Sequence, residues 1–141
     1  MRIYIAGPLF NDMERARNRD ITKIVEGEGH TAFLPQEDGK LAVDEIAQGK
    51  DAVVVRKQIF ELDTKEIRRC DAFLCLLDGR VPDEGMCFEL GMAYALGKPC
   101  IGYATDTRTL DPYGMNLILD ESLSRVARTE KELRSVLREL R

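Results

Sequence analysis

Residues 72–104 read AFLCLLDGRVPDEGMCFELGMAYALGKPCIGYA, and this stretch decides the fold. Its two ends, 72–77 and 100–104, are short apolar runs of the length and composition of buried strands. Residues 86–97 between them are long enough for a helix and contain a single charged residue, Glu89. A strand, a helix and a second strand in this order predict a parallel pair of strands joined by a right-handed helical crossover.

The same alternation continues on both sides of this unit. Further strands are predicted at residues 2–6, 31–35 and 125–127, and further helices at 12–28, 50–69 and 129–140. We therefore predict an α/β fold: a doubly wound, flavodoxin-like or Rossmann-like, mostly parallel sheet of four to five strands with helices on both faces. A chain of 141 residues without repeats or linker-like segments is expected to form a single domain over residues 1–141.

The composition disfavours several classes of protein. With 25 acidic and 21 basic residues the net charge is −4, which disfavours nucleic-acid binding. The chain has no apolar run near the roughly 18 residues of a membrane span, and its first residues lack a signal-peptide pattern, so we expect a cytoplasmic protein that does not bind membranes. The four cysteines form no CxxC pair and are expected to be reduced thiols, without a disulfide or a zinc site.

In a doubly wound sheet the ligand binds beyond the carboxyl ends of the strands. Two loops, residues 36–49 and 105–114, are predicted to be long and without secondary structure, which makes both candidate walls of a site. The first loop, AGPLFN at residues 6–11, follows the first strand, where Gly7 permits a tight turn. Tyr4 either directs its hydroxyl toward this loop or belongs to the core. Fingerprints of NAD or nucleoside triphosphate enzymes, GxGxxG and GxxxxGK[ST], are absent from the sequence.

The acidic loop before the helix at 86–97 is the richest in chemistry. Asp83 and Glu84 precede Gly85, which lets a backbone approach a ligand closely. Glu89 is expected within about the first helical turn, where the helix dipole favours its anion. An ionised carboxylate beside an apolar pocket and further carboxylates suits glycosyl-bond chemistry. The alternative, a Glu stabilised by the helix dipole with solvated acidic neighbours, stays open on spacing alone.

Several motifs resemble those of the nucleoside 2-deoxyribosyltransferases, in family order from about residue 3 to residue 120. They are Tyr4 followed by AGPLF, Asp63 and Asp71 in LDTKEIRRCD, the pattern D-x-G-x-x-x-E-L-G-x-A-x-x-x-G-K over residues 83–98, and Asn116 in GMNLIL. The pattern over residues 83–98 is the most specific of these. The resemblance implies transfer of 2-deoxyribose between nucleobases by double displacement, with no metal and no cofactor.

The resemblance also implies a role for each matching residue. Glu89 would be the nucleophile, oriented by Tyr4, and Asp71 and Asp83 would hold the base, with Asp83 as the proton donor. Asn116 would enter the neighbouring subunit's site, which implies a homo-oligomer of two or more chains. Phe10 either stacks on a base or fills the core.

The substrates implied are a deoxynucleoside and a free nucleobase. Pro8, Leu9 and Phe10 stand where related hydrolases of deoxynucleoside monophosphates carry hydroxyl residues and an Arg, which favours an unphosphorylated nucleoside, although Arg80 and Arg108 could contact a phosphate. Two other hypotheses remain: an N-glycosidase that uses the same carboxylates with water, and a non-catalytic nucleotide-binding module. The sequence leaves the base preference undetermined.

Overall fold

The computed structural model describes residues 1–79, 81–106, 108 and 115–140. Its strands are β1 (Arg2–Ala6), β2 (Thr31–Phe33), β3 (Ala72–Leu76), β4 (Cys100–Tyr103) and β5 (Arg125–Ala127). Its helices are α1 (Asp12–Gly27), α2 (Pro35–Asp38), α3 (Ala42–Ala47), α4 (Ala52–Arg69), α5 (Glu84–Ala95), α6 (Leu117–Glu121) and α7 (Glu130–Glu139).

The five strands form one parallel sheet in the order β2-β1-β3-β4-β5, which confirms the predicted fold class. The chain first steps from β1 outward to β2 and then crosses back to β3 on the other side of β1, where Tyr4 pairs with Phe73. The winding direction thus reverses between β1 and β3. In such sheets the crevice at this reversal is the usual ligand site.

The two faces of the sheet carry separate cores because successive strand residues point to opposite sides. Ile3 and Ile5 of β1 face α1 and α7, in a cluster with Ile21 and Leu133. Tyr4 and Ala6 face the other way and join a cluster that contains Ile67 of α4 and the α5 residues Met86, Leu90 and Ala93. The period of two therefore aims Tyr4 at the face that α5 covers.

Three features of the chain differ from the sequence prediction or lie beyond it. The second strand ends at Phe33 rather than at residue 35, because Pro35 begins α2 at a position that needs no backbone N–H. Residues 36–49, expected to lack secondary structure, contain most of α2 and all of α3. Of the loop predicted at 105–114, Thr107 and residues 109–114 lie outside the described residues.

The start of α5 differs as well, and this matters for the site. The helix begins at Glu84 instead of residue 86, because Asp83 caps it by accepting a hydrogen bond from the N–H of Met86 at 2.8 Å. Glu89 is consequently the sixth residue of α5 and lies beyond its first turn. The expectation that it lies within about the first turn is therefore wrong.

Two predictions from composition can be compared with the structure. The four cysteines are not joined to one another, and three of them, Cys70, Cys75 and Cys100, are buried. Within the described part of the chain, no helix is both long enough and apolar enough to cross a membrane.

Candidate active site

A cavity of about 220 Å³ lies at the carboxyl ends of β1 and β2, beside the beginning of α5. Four apolar side chains from the segments that follow these strands form part of its wall: Leu9, Phe10, Leu34 and Pro35. Three carboxylates also line it: Asp63 of α4, Asp83 at the cap of α5 and Glu89 of α5. The cavity therefore combines a surface suited to a flat apolar ring with a concentration of acidic groups.

Glu89 is held in the cavity by a hydrogen bond from Tyr4. The phenolic O–H of Tyr4 donates to Glu89 Oε1 at 2.7 Å. Tyr4 is fully buried (0% exposed), and its ring lies between those of Phe33 and Phe73, each with a centroid distance of 5.4 Å. Because the stacked rings fix the direction of the hydroxyl, they also fix the position of the carboxylate. Both sequence interpretations of Tyr4 hold, since it is a core residue whose hydroxyl reaches the site.

The protonation of Glu89 differs from the sequence expectation. Its pKa is raised to about 7: burial raises it most, the hydrogen bond from Tyr4 lowers it, and the negative charges of Asp63 and Asp83 add smaller increases. The helix dipole does not keep Glu89 fully ionised, because the residue lies beyond the first turn, where the dipole acts most strongly. Near neutral pH both the acid and the anion of Glu89 are thus accessible.

Asp63 is a cavity residue to which the sequence analysis gave no role. It lies on α4, and burial raises its pKa to about 6. The signal that could have identified it is the helical period: Ile59, Asp63 and Ile67 follow one another at intervals of four on one face, and Ile67 is buried. Asp63, like Glu89, is thus an acidic residue on a helix face that is otherwise apolar.

Asp71, in contrast, is not brought to the cavity. It directly precedes β3 at the amino ends of the strands, where its Oδ2 accepts a hydrogen bond from the backbone N–H of Arg2 at 2.7 Å. The cavity lies at the carboxyl ends, so the whole length of the sheet separates the two. The expected contact of Asp71 with a base is therefore incorrect for this geometry.

The two predicted glycines lie at the cavity wall together with Asp83. A Cβ added to Gly7 would stand only 3.0 Å from Leu76 Cβ, so a side chain there would crowd the turn after β1. A Cβ added to Gly85 would stand 3.2 Å from Asp83 Oδ1, which is the oxygen that caps α5. Both positions thus keep the backbone close to the space where a ligand would lie.

Phe10 and Asn116 are both on the surface of the chain. Phe10 is 74% exposed at the cavity mouth, which rules out the alternative that it fills the core. Asn116 is exposed and caps α6, since its Oδ1 accepts a hydrogen bond from the N–H of Ile118 at 3.0 Å. Asn116 does not line the cavity of its own chain.

The fold and the cavity together define a class of protein. It is a doubly wound α/β protein with an oriented carboxylate at the reversal of its strand order and a second acid of raised pKa beside it. Two carboxyl groups in different environments can divide the roles of nucleophile and proton donor at a glycosyl bond.

The chain belongs to the nucleoside 2-deoxyribosyltransferase family, whose model matches residues 3–132. Membership indicates an enzyme of glycosyltransferase or glycosidase type. A 2-deoxyribosyltransferase from Leishmania mexicana has 25% sequence identity and a TM-score of 0.70, covering 99% of each chain. An uncharacterized protein of Schizosaccharomyces pombe is 35% identical over 111 residues. That match takes in 75% of this chain and 51% of the yeast protein, so this chain spans about half the length of that relative.

Two further solved structures share the fold. A 2-deoxyribosyltransferase from Bacillus psychrosaccharolyticus superposes with a TM-score of 0.80 at 24% identity, over 97% of this chain and 96% of that one. A CMP N-glycosidase from Clostridium botulinum superposes with a TM-score of 0.57 at 21% identity, over 97% of this chain and 98% of that one.

Proposed function

We propose that the protein transfers the 2-deoxyribosyl group of a deoxynucleoside to a free nucleobase by double displacement, through a glycosyl ester on Glu89. The observation that carries this proposal is the hydrogen bond from Tyr4 to Glu89 inside a cavity that Asp63 and Asp83 also line. This arrangement provides a positioned nucleophile and a separate acid nearby. A retaining displacement at C1′ requires both groups.

In the first half-reaction a carboxylate oxygen of Glu89 attacks C1′ as the bond from C1′ to the base nitrogen breaks. The bonding electrons leave with the base, and a proton from Asp63 neutralises them. Asp63 fits this role because its pKa of about 6 leaves part of it protonated near neutrality. Asp83 is less available for this role, since its Oδ1 already accepts a hydrogen bond from the backbone N–H of Met86 as the cap of α5.

The second half-reaction reverses the first with a different base. A ring nitrogen of the incoming base attacks C1′, the ester oxygen returns to Glu89 as a carboxylate, and Asp63 accepts the proton that the base loses. Two inversions at C1′ retain the configuration. The proton and the carboxylate are both regenerated, so the cycle consumes no other reactant.

The substrate favoured by the cavity is an unphosphorylated deoxynucleoside. Among the described residues that line it, three are carboxylates and none is Lys or Arg, so a nearby phosphate would meet like charge. Arg108 is exposed and forms an ion pair with Asp106 at 2.5 Å, and Arg80 lies outside the described residues.

The test is to incubate the protein with deoxyinosine and adenine and to measure deoxyadenosine by chromatography. We expect the wild type to form it, and Glu89→Gln to reduce the rate by at least about 10³-fold. Glu84→Gln is the matched control, because Glu84 lies on the same helix but is exposed and outside the cavity. A wild type that forms no new nucleoside with any pair of bases would refute the proposal.

Hydrolysis is the second candidate, favoured by the fold shared with an N-glycosidase. Water would then attack C1′ of the ester in place of a base. Release of free base from deoxyinosine at the same rate with and without adenine would support hydrolysis, whereas acceleration by adenine would support transfer.

We further propose that the protein is a homo-oligomer in which Asn116 reaches a neighbouring site. Asn116 and the next residues, Leu117 and Ile118, are all exposed on the chain. If Asn116 acts across an interface, Glu89→Gln and Asn116→Ala variants should each be inactive alone but regain activity when they are mixed and allowed to exchange subunits. No regain in a mixture shown by co-purification of differently tagged variants to contain hetero-oligomers would overturn this arrangement.

A further inference from the structure

Asn18 is a buried polar residue of α1 at the cavity wall, and the mechanism above does not use it. It is 2% exposed. Its Nδ2 donates to the backbone oxygen of Pro8 at 2.9 Å and to Gln36 Oε1 at 2.9 Å. Gln36 in turn donates from Nε2 to the backbone oxygen of Arg15 at 2.9 Å. These bonds connect the loop after β1 with α2, the two segments that carry Leu9 and Pro35.

The two side-chain amides can adopt only one orientation in this chain of bonds. A backbone carbonyl only accepts hydrogen bonds, so the atom of Asn18 that faces Pro8 must be the amide nitrogen. The same argument at the Arg15 carbonyl fixes Gln36 with its oxygen toward Asn18. Turning either amide over would bring two acceptors together inside the protein, which is unfavourable.

Asn18 Oδ1 is thereby left as an acceptor at the cavity. Both hydrogens of the Asn18 amide are engaged, and no residue in the described part of the chain donates to its oxygen. Oδ1 lies 3.2 Å from the position that a Cβ of Gly7 would occupy, and Gly7 itself lines the cavity. Because a carboxamide does not titrate near neutral pH, this oxygen accepts at any pH, unlike the acidic groups across the cavity.

The position of Asn18 indicates which part of a substrate it meets. Asn18 comes from α1 on one face of the sheet, next to the apolar segments of Leu9 and Pro35, whereas Glu89 comes from α5 on the opposite face. A nucleoside with its C1′ at Glu89 would extend its base toward the apolar side. Two kinds of hydrogen-bond donor occur at the outer edge of a base, the ring N–H of an oxo base and the exocyclic amino group, and the amino group projects further from the ring.

We propose that Asn18 Oδ1 accepts a hydrogen bond from the exocyclic amino group of the nucleobase, which makes Asn18 a determinant of base specificity. The inference rests on the proposed function. Bases with an amino group, such as adenine, are preferred over those with a carbonyl or a methyl group at the same position. A carbonyl would face Asn18 Oδ1 with a second acceptor, and a methyl group would leave the oxygen without a partner.

The first test needs only the wild type and two acceptor bases of equal size, adenine and 6-methylpurine. With deoxyinosine as donor, kcat/KM should be at least about tenfold higher for adenine, since a site built to bond an N–H discriminates against an analogue that lacks it. A ratio near one overturns the inference and leaves the proposed function intact. Absence of transfer to these two bases and to every other acceptor base would instead refute the proposed function.

The second test uses the variants Asn18→Leu and Gln36→Leu. The control is Gln48→Leu, because Gln48 is an exposed glutamine at the end of α3. In both test variants the ratio of kcat/KM for adenine to that for 6-methylpurine should fall toward one, mainly through KM for adenine. A purely structural role would lower both values equally, and that result would overturn the inference. Thermal unfolding identifies a variant that fails to fold, in which case the wild-type ratio decides.

Discussion

Tyr4 and Glu89 are 85 positions apart in the sequence, yet the hydroxyl of Tyr4 lies 2.7 Å from Glu89 Oε1. The contact exists because β1 lies at the middle of the sheet and α5 packs on the face toward which Tyr4 points. One hydrogen bond therefore joins the strand that precedes the first loop to the helix that follows the acidic loop. It also sets how readily Glu89 loses its proton.

Tyr4→Phe should shift the pH dependence of the reaction. The hydrogen bond from Tyr4 lowers the pKa of Glu89, so its removal raises that pKa above about 7 and leaves less anion at a given pH. A hydrogen bond to a charged group contributes about 1.5–3 kcal/mol, so kcat/KM should fall roughly tenfold to hundredfold at pH 6 and less at pH 9. Rate profiles from pH 5 to pH 9 check this, and an equal loss at every pH would contradict it.

Glu89→Gln should stabilise the protein in a pH-dependent manner. The folded-state pKa of Glu89, about 7, is raised above its ordinary value of 4.5, so its contribution to the free energy of unfolding is full below pH 4.5 and is lost as the pH rises through 7. Replacing it with a neutral amide removes that loss, which is at most about 3 kcal/mol. Thermal unfolding should show a higher Tm for the variant at pH 8, with the gain vanishing near pH 4. A gain that is larger at the acid end would contradict the assignment.

Asp63→Asn tests the proposed proton donor, and Asp71→Asn is the comparison at an acid outside the cavity. Loss of the proton donor should lower transfer from deoxyinosine about 10²-fold to 10⁴-fold in Asp63→Asn. The loss should be much smaller with 7-methyl-deoxyguanosine, whose cationic base leaves without protonation. Asp71→Asn should retain transfer and lose only about 1 kcal/mol of stability through its bond to Arg2. A larger loss of transfer in Asp71→Asn than in Asp63→Asn would contradict both assignments.

Phe10→Ala should weaken substrate binding without affecting folding. An aromatic ring that stacks on a base contributes about 1–3 kcal/mol, so KM should rise at least about fivefold, with kcat changed far less. Stability should stay within about 0.5 kcal/mol, because Phe10 is 74% exposed. Met13→Ala, at an apolar residue that is 84% exposed on α1, is the control for a surface truncation. An unchanged KM in Phe10→Ala would exclude stacking.

Much of the fold could be predicted because its signals are local. The strands at 2–6 and 125–127 were predicted with the bounds of β1 and β5, since short apolar or β-branched runs between helical patterns are recognisable one by one. The predicted start of α5 is two residues too late. The true start depends on the hydrogen bond from the N–H of Met86 to Asp83, which the sequence pattern does not reveal. The helices in residues 36–49 were missed since short helices carry little periodicity.

The sequence by itself determined the parallel α/β architecture and the resemblance to a family. It also determined that Asp83 lies in an acidic loop and Glu89 on the helix that follows this loop. These follow from periodicity and motif, which are properties of neighbouring residues. Only the tertiary structure decided that Asp63 rather than Asp71 lines the cavity, that Glu89 has a pKa of about 7, and that Asn18 presents an acceptor there. Burial, hydrogen-bond partners and the end of the sheet at which a residue lies all depend on segments distant in sequence, which only the folded chain brings together.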